Sequence, residues 1–182
     1  MSKDLNKEYT ISVFTENKAG LMMRVVQVFT RRHFNIESLT TSQSSMEGIF
    51  RFTIVVHLTE EDVRKVVAQL DKQIEVLKAF YYEAHEVVYQ EIALYKVPIK
   101  AYTESSGRLE RLMRKHNARI LTIESEFIVI EKTGHQEETQ KLLEDLKKVG
   151  IYEFVRSGRV AVTKPMEQLN HYLKSIEFAE AN

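Results

Sequence analysis

The residue types that could bind a small ligand are concentrated near the start of the chain. Residues 16–20 read Glu-Asn-Lys-Ala-Gly, an apolar helical pattern follows, and residues 35–40 read Asn-Ile-Glu-Ser-Leu-Thr. The first N–H groups of a helix have no intrahelical acceptor and lie at its positive end, which suits a small carboxylate. Asparagine side chains nearby can accept hydrogen bonds from an ammonium group. The stretch therefore favours an amino-acid sensor over a catalyst.

The candidate contacts divide by chemical role. The N–H groups of residues 20–22 would bind the carboxylate, and Gly20 lacks a Cβ, so a ligand can approach its backbone closely. Asn17 and Asn35 offer amide oxygens to the ammonium, and Ile36 could line an apolar slot. Simpler roles are equally compatible with the spacing: Asn17 and Gly20 as turn and capping residues, and Asn35 as a left-handed residue ending a helix.

Composition limits the function classes. The chain has 182 residues, with 26 basic and 26 acidic side chains and a formal net charge of zero, so general electrostatic attraction to nucleic acid or to an anionic membrane is not expected. The absence of cysteine excludes disulfides and thiolate metal sites. No apolar run approaches the roughly 20 residues of a membrane span, and the first residues lack the apolar core of a signal peptide. These features predict a soluble cytoplasmic protein.

Hydrophobic periodicity predicts the same element order twice. In the first half, a helix with Leu21, Val25, Val28 and Phe29 on one face follows the Gly20 turn, and Thr59 is expected to cap a second helix. The strands of the first half are predicted at residues 9–15, 36–43, 49–58 and 76–83.

The second half repeats the order less cleanly. A strand is predicted over 92–102, where Pro98 suggests an edge position or a bulge. Ser105 and Ser106 could cap the next helix, and Gly150 is expected to end the one after it. The remaining predicted elements are strands at 119–125 and 127–132, a final strand or hairpin around Ser157 and Gly158, and a helical tail at 165–182.

The order β-α-β-β-α-β is that of the ferredoxin-like fold. The sequence therefore predicts an α+β protein with two ferredoxin-like domains, at residues 8–84 and 90–164. Each domain is small, and each sheet would leave edges uncovered, so a homodimer or larger oligomer is expected.

These residues resemble a known family. The first half is similar to ACT domains, ferredoxin-like modules that bind small ligands, often amino acids. The run at 35–40 resembles, more narrowly, the regulatory (small) subunit of acetolactate synthase, also called acetohydroxyacid synthase. The matching positions across residues 8–164 are Glu16, Asn17, Gly20, Arg24, Val25, Phe29, Glu91–Val97 and Arg156–Gly158.

The resemblance implies a non-catalytic partner. The large catalytic subunit of that family uses thiamine diphosphate, a divalent metal (usually Mg2+) and often FAD to condense pyruvate with a 2-oxo acid. The small subunit raises this activity and confers feedback inhibition by valine, sometimes by leucine or isoleucine. The effector lies between two ACT domains of a dimer, and no cofactor is expected on the small subunit itself. The effector-binding positions in this sequence would be Asn17, Ala19, Gly20, Leu21, Asn35 and Ile36.

Two departures from the family pattern bear on the site. His33 stands where the family usually has glycine, which would carry a steric cost if the position is left-handed. Leu21 and the pair Met22 and Met23 are bulkier than is usual there, and this bulk could narrow the pocket or change the effector.

Three other functional interpretations have less support in the sequence. An independent enzyme is disfavoured because there is no nucleophile elbow, no Gly-rich phosphate loop and no metal spacing among the six histidines. An RNA-binding domain would share the fold, but only Arg51 and Phe52 hint at it and the net charge is zero. A stand-alone ACT sensor for a different enzyme or regulator remains the main alternative.

Overall fold

The computed structural model describes residues 6–103 and 107–164. The expected serine cap at 105–106 and the expected helical tail at 165–182 lie outside these residues. The described residues form two compact units, one containing 6–37, 41–88 and 161–164, the other containing 38–40 and 89–160.

The first sheet has the connectivity that the sequence predicts. Its strands are β1 (Lys7–Glu16), β2 (Ser38–Gln43), β3 (Ile49–Leu58) and β4 (Val76–Glu83), and its helices are α1 (Leu21–Thr30) and α2 (Glu60–Leu70). The spatial order is β2-β3-β1-β4, with β1 antiparallel to both of its neighbours. This is the ferredoxin-like order, in which the first strand is central and the second is an edge.

The core of this unit follows the apolar spacing. The buried residues of α1 are Leu21, Val25, Val28 and Phe29, the four expected from the helical period. Thr59 caps α2 by accepting the N–H of Asp62 at 3.1 Å, and acidic residues fill the first turn of that helix.

The end of α1 explains one departure from the family pattern. His33 has φ 57° and donates its N–H to the carbonyl of Thr30, while the N–H of Phe34 reaches the carbonyl of Phe29. This pair of bonds is a Schellman motif with the left-handed residue at His33. Position 33 is therefore left-handed, so His33 carries the steric cost that applies in that case, and the alternative that Asn35 is the left-handed residue is wrong.

The second sheet repeats the connectivity. Its strands and helices are β5 (Val87–Pro98), α3 (Lys100–Thr103), α4 (Arg108–His116), β6 (Arg119–Ile123), β7 (Phe127–Gly134), α5 (Gln136–Lys147), β8 (Glu153–Arg156) and β9 (Val160–Thr163). The order is β6-β7-β5-β8, and β9 also pairs with β5. α4 ends in a Schellman motif like that of α1, here with Asn117 as the left-handed residue.

Two expectations for this half are wrong. Pro98 does not mark an edge or a bulge: it is the last residue of the central strand β5, opposite Phe127, and residues 100–103 form a helical turn instead of more strand. The missing proline N–H is tolerated because β8 pairs only with residues 93–96 of β5. β8 and β9 do not form a hairpin, since both pair with β5.

A serine joins those last two strands. The backbone of Ser157 donates to the carbonyl of Ile92 at 2.8 Å, and its hydroxyl accepts the N–H of Ile92 at 2.9 Å. The side chain thus replaces a backbone acceptor where the strand is interrupted.

The helices of the second unit are connected by one carboxylate. Asp145 on α5 accepts hydrogen bonds from Lys115 at 3.0 Å and Lys148 at 2.8 Å, and His116 Nε2 lies 2.9 Å from it. Hydrogen bonds from Lys148, His116 and Lys115 hold the pKa of Asp145 well below its usual range. α5 ends at Lys147, three residues before the left-handed Gly150 that was expected to end it.

Candidate effector-binding site

The loop between β1 and α1 is held in place by backbone hydrogen bonds on two sides. The N–H of Glu16 donates to the carbonyl of Glu75 at 3.1 Å, and the N–H of Asn17 donates to the carbonyl of Gly48 at 3.2 Å. Gly20 then takes up the N-cap position of α1 with φ 80°, a left-handed conformation that favours glycine. The loop therefore presents the start of α1 in a fixed orientation.

The start of α1 carries hydrogen-bond donors without acceptors. Among the described residues, the N–H groups of Gly20, Met22 and Met23 have no hydrogen-bond acceptor. The N–H of Leu21 does not belong with them, because it donates to the carbonyl of Lys18 at 3.3 Å. The expectation that residues 20–22 all present free N–H groups is thus corrected for Leu21.

The sequence of α1 does not neutralise the N-terminal end of this helix. The first turn of α1 contains no acidic residue, whereas the first turn of α2 has three and that of α5 has two. The positive end of the α1 dipole is therefore uncompensated by its own sequence, a condition that favours an external anion.

A cleft of about 190 Å3 adjoins these donors. Its lining residues, all within the first unit, are Thr15, Glu16, Asn17, Lys18, Gly20, Leu21, Met22, Thr41, Phe50 and Phe52. The volume is below the range of about 300–1,000 Å3 that is typical of pockets for drug-sized ligands, so the cleft suits a smaller molecule. The lining combines the aromatic side chains of Phe50 and Phe52 with the start of α1.

The structure gathers three of the six expected site residues. Asn17, Gly20 and Leu21 line the cleft, whereas Ala19, Asn35 and Ile36 do not. Asn35 and Ile36 lie in the connection between α1 and β2, where Asn35 is exposed and Ile36 is partly buried.

Several lining residues were not expected from the sequence. Thr15 and Phe50 face each other across β1 and β3, and Thr41 comes from β2. Phe52 is 5% exposed and belongs to the core, yet it also lines the cleft. The alternation of β1 places Thr15 on the same face as the buried Tyr9, Ile11 and Val13, which is the one sequence signal that could have identified it.

The charged side chains near the cleft are paired. Lys18 Nζ lies 2.6 Å from Glu16 Oε2, and the hydrogen bond between them raises the pKa of Lys18. Arg24 on α1 hydrogen-bonds Glu75, which lowers the pKa of that carboxyl group. These pairs leave the backbone N–H groups as the donors most available to an anion.

Another cleft, of about 260 Å3, lies on the second sheet. It is lined by Leu94, Lys96, Phe127, Val129, Glu153 and Val155, and the Lys96 ammonium lies 4.3 Å from the centroid of the Phe127 ring. All six residues belong to strands, so this cleft contains no helix start and no comparable set of free N–H groups.

Neither a cluster of metal-ligand side chains nor a membrane-spanning helix occurs in the part of the chain that is described. Across residues 6–103 and 107–164 there is no group of three His, Asp or Glu side chains placed to hold a metal ion. No helix in those ranges has the length and apolar character needed to cross a membrane.

The chain is similar to known proteins over both units. Residues 11–78 match a family model described as the AHAS small subunit-like ACT domain, and residues 90–165 match one described as the small subunit of acetolactate synthase. Together with the doubled ferredoxin-like fold, these matches define a regulatory protein of the ACT-domain class.

Similarity to individual relatives identifies the family within this class. The chain is 33% identical over 159 residues to the acetolactate synthase small subunit of Bacillus subtilis, a match that covers 87% of this chain and 91% of that one. It is 35% identical over 156 residues to the small subunit of Mycolicibacterium smegmatis, covering 86% and 91%. The crystal structure of the small subunit from Thermotoga maritima superimposes with a TM-score of 0.79 at 28% identity, covering 88% of this chain and 99% of that one. The chain belongs to the acetolactate synthase small-subunit family.

Proposed function

We propose that this chain activates a thiamine-diphosphate-dependent catalytic subunit of acetolactate synthase and makes it sensitive to feedback inhibition by a branched-chain amino acid, valine first. The observation that carries the proposal is the uncompensated start of α1, which opens onto a cleft of amino-acid size. The effector carboxylate binds the free N–H groups of Gly20 and Met22, and its side chain packs toward Phe50 and Phe52. Thiamine diphosphate, Mg2+ and FAD belong to the catalytic partner.

A second copy of the chain completes the site in this proposal. Asn35 and Ile36 do not line the cleft of their own chain, although the family resemblance assigns them to the effector. They lie close to the start of β2 at Ser38, and β2 is an edge strand with one neighbour in its sheet. Pairing of two first domains, residues 8–84, along such an edge would bring these residues of one copy toward the cleft of the other.

Regulation then requires that the effector distinguish two arrangements. An effector bound between two copies shifts their relative position only if it binds one arrangement more tightly than the other. The catalytic subunit responds to that arrangement, so activation and inhibition are separable functions of the same chain.

Reconstitution with the catalytic subunit tests the proposal. The chain should raise acetolactate formation, and L-valine, L-leucine or L-isoleucine should then reduce it, whereas D-valine, the stereochemical control, should not. The stand-alone sensor would be favoured by failure to stimulate the catalytic subunit together with clear amino-acid binding.

Thermal unfolding of the purified chain gives an independent readout. A ligand at 100 times its Kd stabilises the folded state by about 2.7 kcal/mol, which is a shift of several degrees in Tm for a domain of this size. Absence of both a Tm shift and an effect on the reconstituted enzyme, with all three amino acids, contradicts the feedback part of the proposal.

A further inference from the structure

The hydroxyl group of Thr15 makes no hydrogen bond among the described residues of the free protein. The residue is fully buried, at 0% exposure, and its Oγ1 is buried without a hydrogen-bond partner among the described residues. A buried hydroxyl without a partner destabilises the folded state, so buried polar groups are normally hydrogen-bonded. Thr15 is also one of the residues that line the cleft at the start of α1.

The register of the sheet places Thr15 among the residues that line the cleft. Thr15 on β1 is directly opposite Phe50 on β3, and both residues line the cleft. Asn17 follows two residues later and lines it as well.

An amino-acid effector needs several hydrogen-bond acceptors for its ammonium group. Its ammonium group carries three protons, while the carboxylate of Glu16 is already ion-paired with Lys18. Within the cleft of one chain, Asn17 supplies an amide oxygen, and Thr41 also belongs to the lining. A threonine hydroxyl has two acceptor lone pairs and one donor, so it can accept from an ammonium.

We propose that Thr15 is a further effector-binding residue whose hydroxyl accepts a hydrogen bond from the effector ammonium, while the start of α1 binds the carboxylate. This inference rests on the proposed function, because it assigns one more contact to the same site. The hydroxyl gains its partner only in the complex. Its unfavourable burial in the free protein is therefore relieved on binding and contributes to affinity.

Thr15→Val tests this because valine has nearly the same shape and lacks the hydroxyl. Removing an unpaired hydroxyl should leave the Tm of the free protein unchanged or raised, while removing an effector contact should weaken L-valine binding by about tenfold or more. Thr10→Val is the matched control, since Thr10 is 1% exposed on the same strand and does not line the cleft. That control should leave L-valine affinity unchanged.

Calorimetric titration with L-valine and thermal unfolding without it give the two readouts. Weaker binding by Thr15→Val without loss of stability supports the proposal. Wild-type affinity in that variant overturns it and leaves the proposed function intact, whereas absence of amino-acid binding by the wild-type chain overturns both. If Thr15→Val does not fold, Thr15→Ser and Thr15→Ala differ from each other only in the hydroxyl, and the serine variant should bind L-valine more tightly.

A deaminated analogue tests the contact with the ammonium. The compound 3-methylbutanoate has the carbon skeleton and carboxylate of valine without the amino group. The affinity of this compound, measured by competition with L-valine, should be equally low for the wild-type chain and for Thr15→Val. If Thr15→Val weakened the binding of 3-methylbutanoate as much as that of L-valine, the hydroxyl would contact a group of the effector other than the ammonium. That result would overturn the assignment.

Discussion

The substitution Gly20→Asp places a carboxylate where the effector carboxylate is expected. A Cβ added at Gly20 would meet no atom within 4 Å, so the substitution causes no steric clash. The cost to stability comes from the left-handed backbone, with φ 80°. A side chain in that region costs about 1–2 kcal/mol, and Asp tolerates it better than most residues. We therefore expect a loss of about 1 kcal/mol, or about 4–8 °C in the Tm of a domain of this size.

The effect on binding should be much larger. The introduced carboxylate competes for the N–H groups of Gly20, Met22 and Met23, which have no other acceptor among the described residues. Loss of two charge-assisted hydrogen bonds, at about 1.5 kcal/mol each, amounts to about 3 kcal/mol. This corresponds to roughly a 150-fold increase in the Kd of the effector.

The assay is acetolactate formation by the reconstituted enzyme at increasing L-valine, with the thermal unfolding of each variant measured in parallel. Gly20→Asp should still activate the catalytic subunit and should lose inhibition. Gly20→Asn is the matched control, because it has the same shape and backbone tolerance without the charge, and it should retain far more sensitivity. Undiminished valine inhibition of Gly20→Asp would refute the assignment of the effector carboxylate to the start of α1.

Three other substitutions test separate parts of the structure. Asn35→Ala should weaken effector binding by calorimetry without lowering Tm, because Asn35 is exposed and is not the left-handed residue at the end of α1; unchanged affinity would remove it from the site. His33→Gly should stabilise the first unit by about 0.5–1 kcal/mol, seen as a higher Tm, because φ 57° is unfavourable for a residue with a Cβ. Asp145→Asn should lower the Tm of the second unit at pH 7. Because the folded-state pKa of Asp145 is lowered, its stabilisation is present above the ordinary value of 3.8 and is lost as the pH falls below it, so the variant should show a flatter acid dependence of Tm. Identical acid dependence would contradict the role of Asp145.

The agreement between sequence and fold is strongest where the signal is local. Helical spacing identified all four buried residues of α1, and the Thr59 cap was found from its residue type and the acids that follow it. The doubled β-α-β-β-α-β order followed from the same periodicities. Each of these features depends on contacts between residues close in sequence, and the chain alone specifies such contacts.

The errors lie where a distant strand decides the outcome. Pro98 suggested an edge or a bulge, but β5 is central and pairing on its β8 side stops before the proline. The sequence of the last two strands was compatible with a hairpin, but both strands pair with β5. The sequence of a strand does not reveal how far its partners extend, because those partners come from other parts of the chain.

The features of the candidate site also divide into those that the sequence determines and those that only the tertiary structure decides. Residue types and order by themselves determined that a helix begins beside Gly20 and that asparagines flank it, and they predicted an anion-binding site at that helix start. The tertiary structure alone decided that the N–H of Leu21 is already bonded and that Asn35 and Ile36 do not line the cleft of their own chain. It also decided that Thr15 lines that cleft with a buried hydroxyl that has no partner among the described residues. The physical reason is that a hydrogen-bonding group becomes available or unavailable through atoms brought to it from elsewhere in the fold, and no local pattern records those atoms.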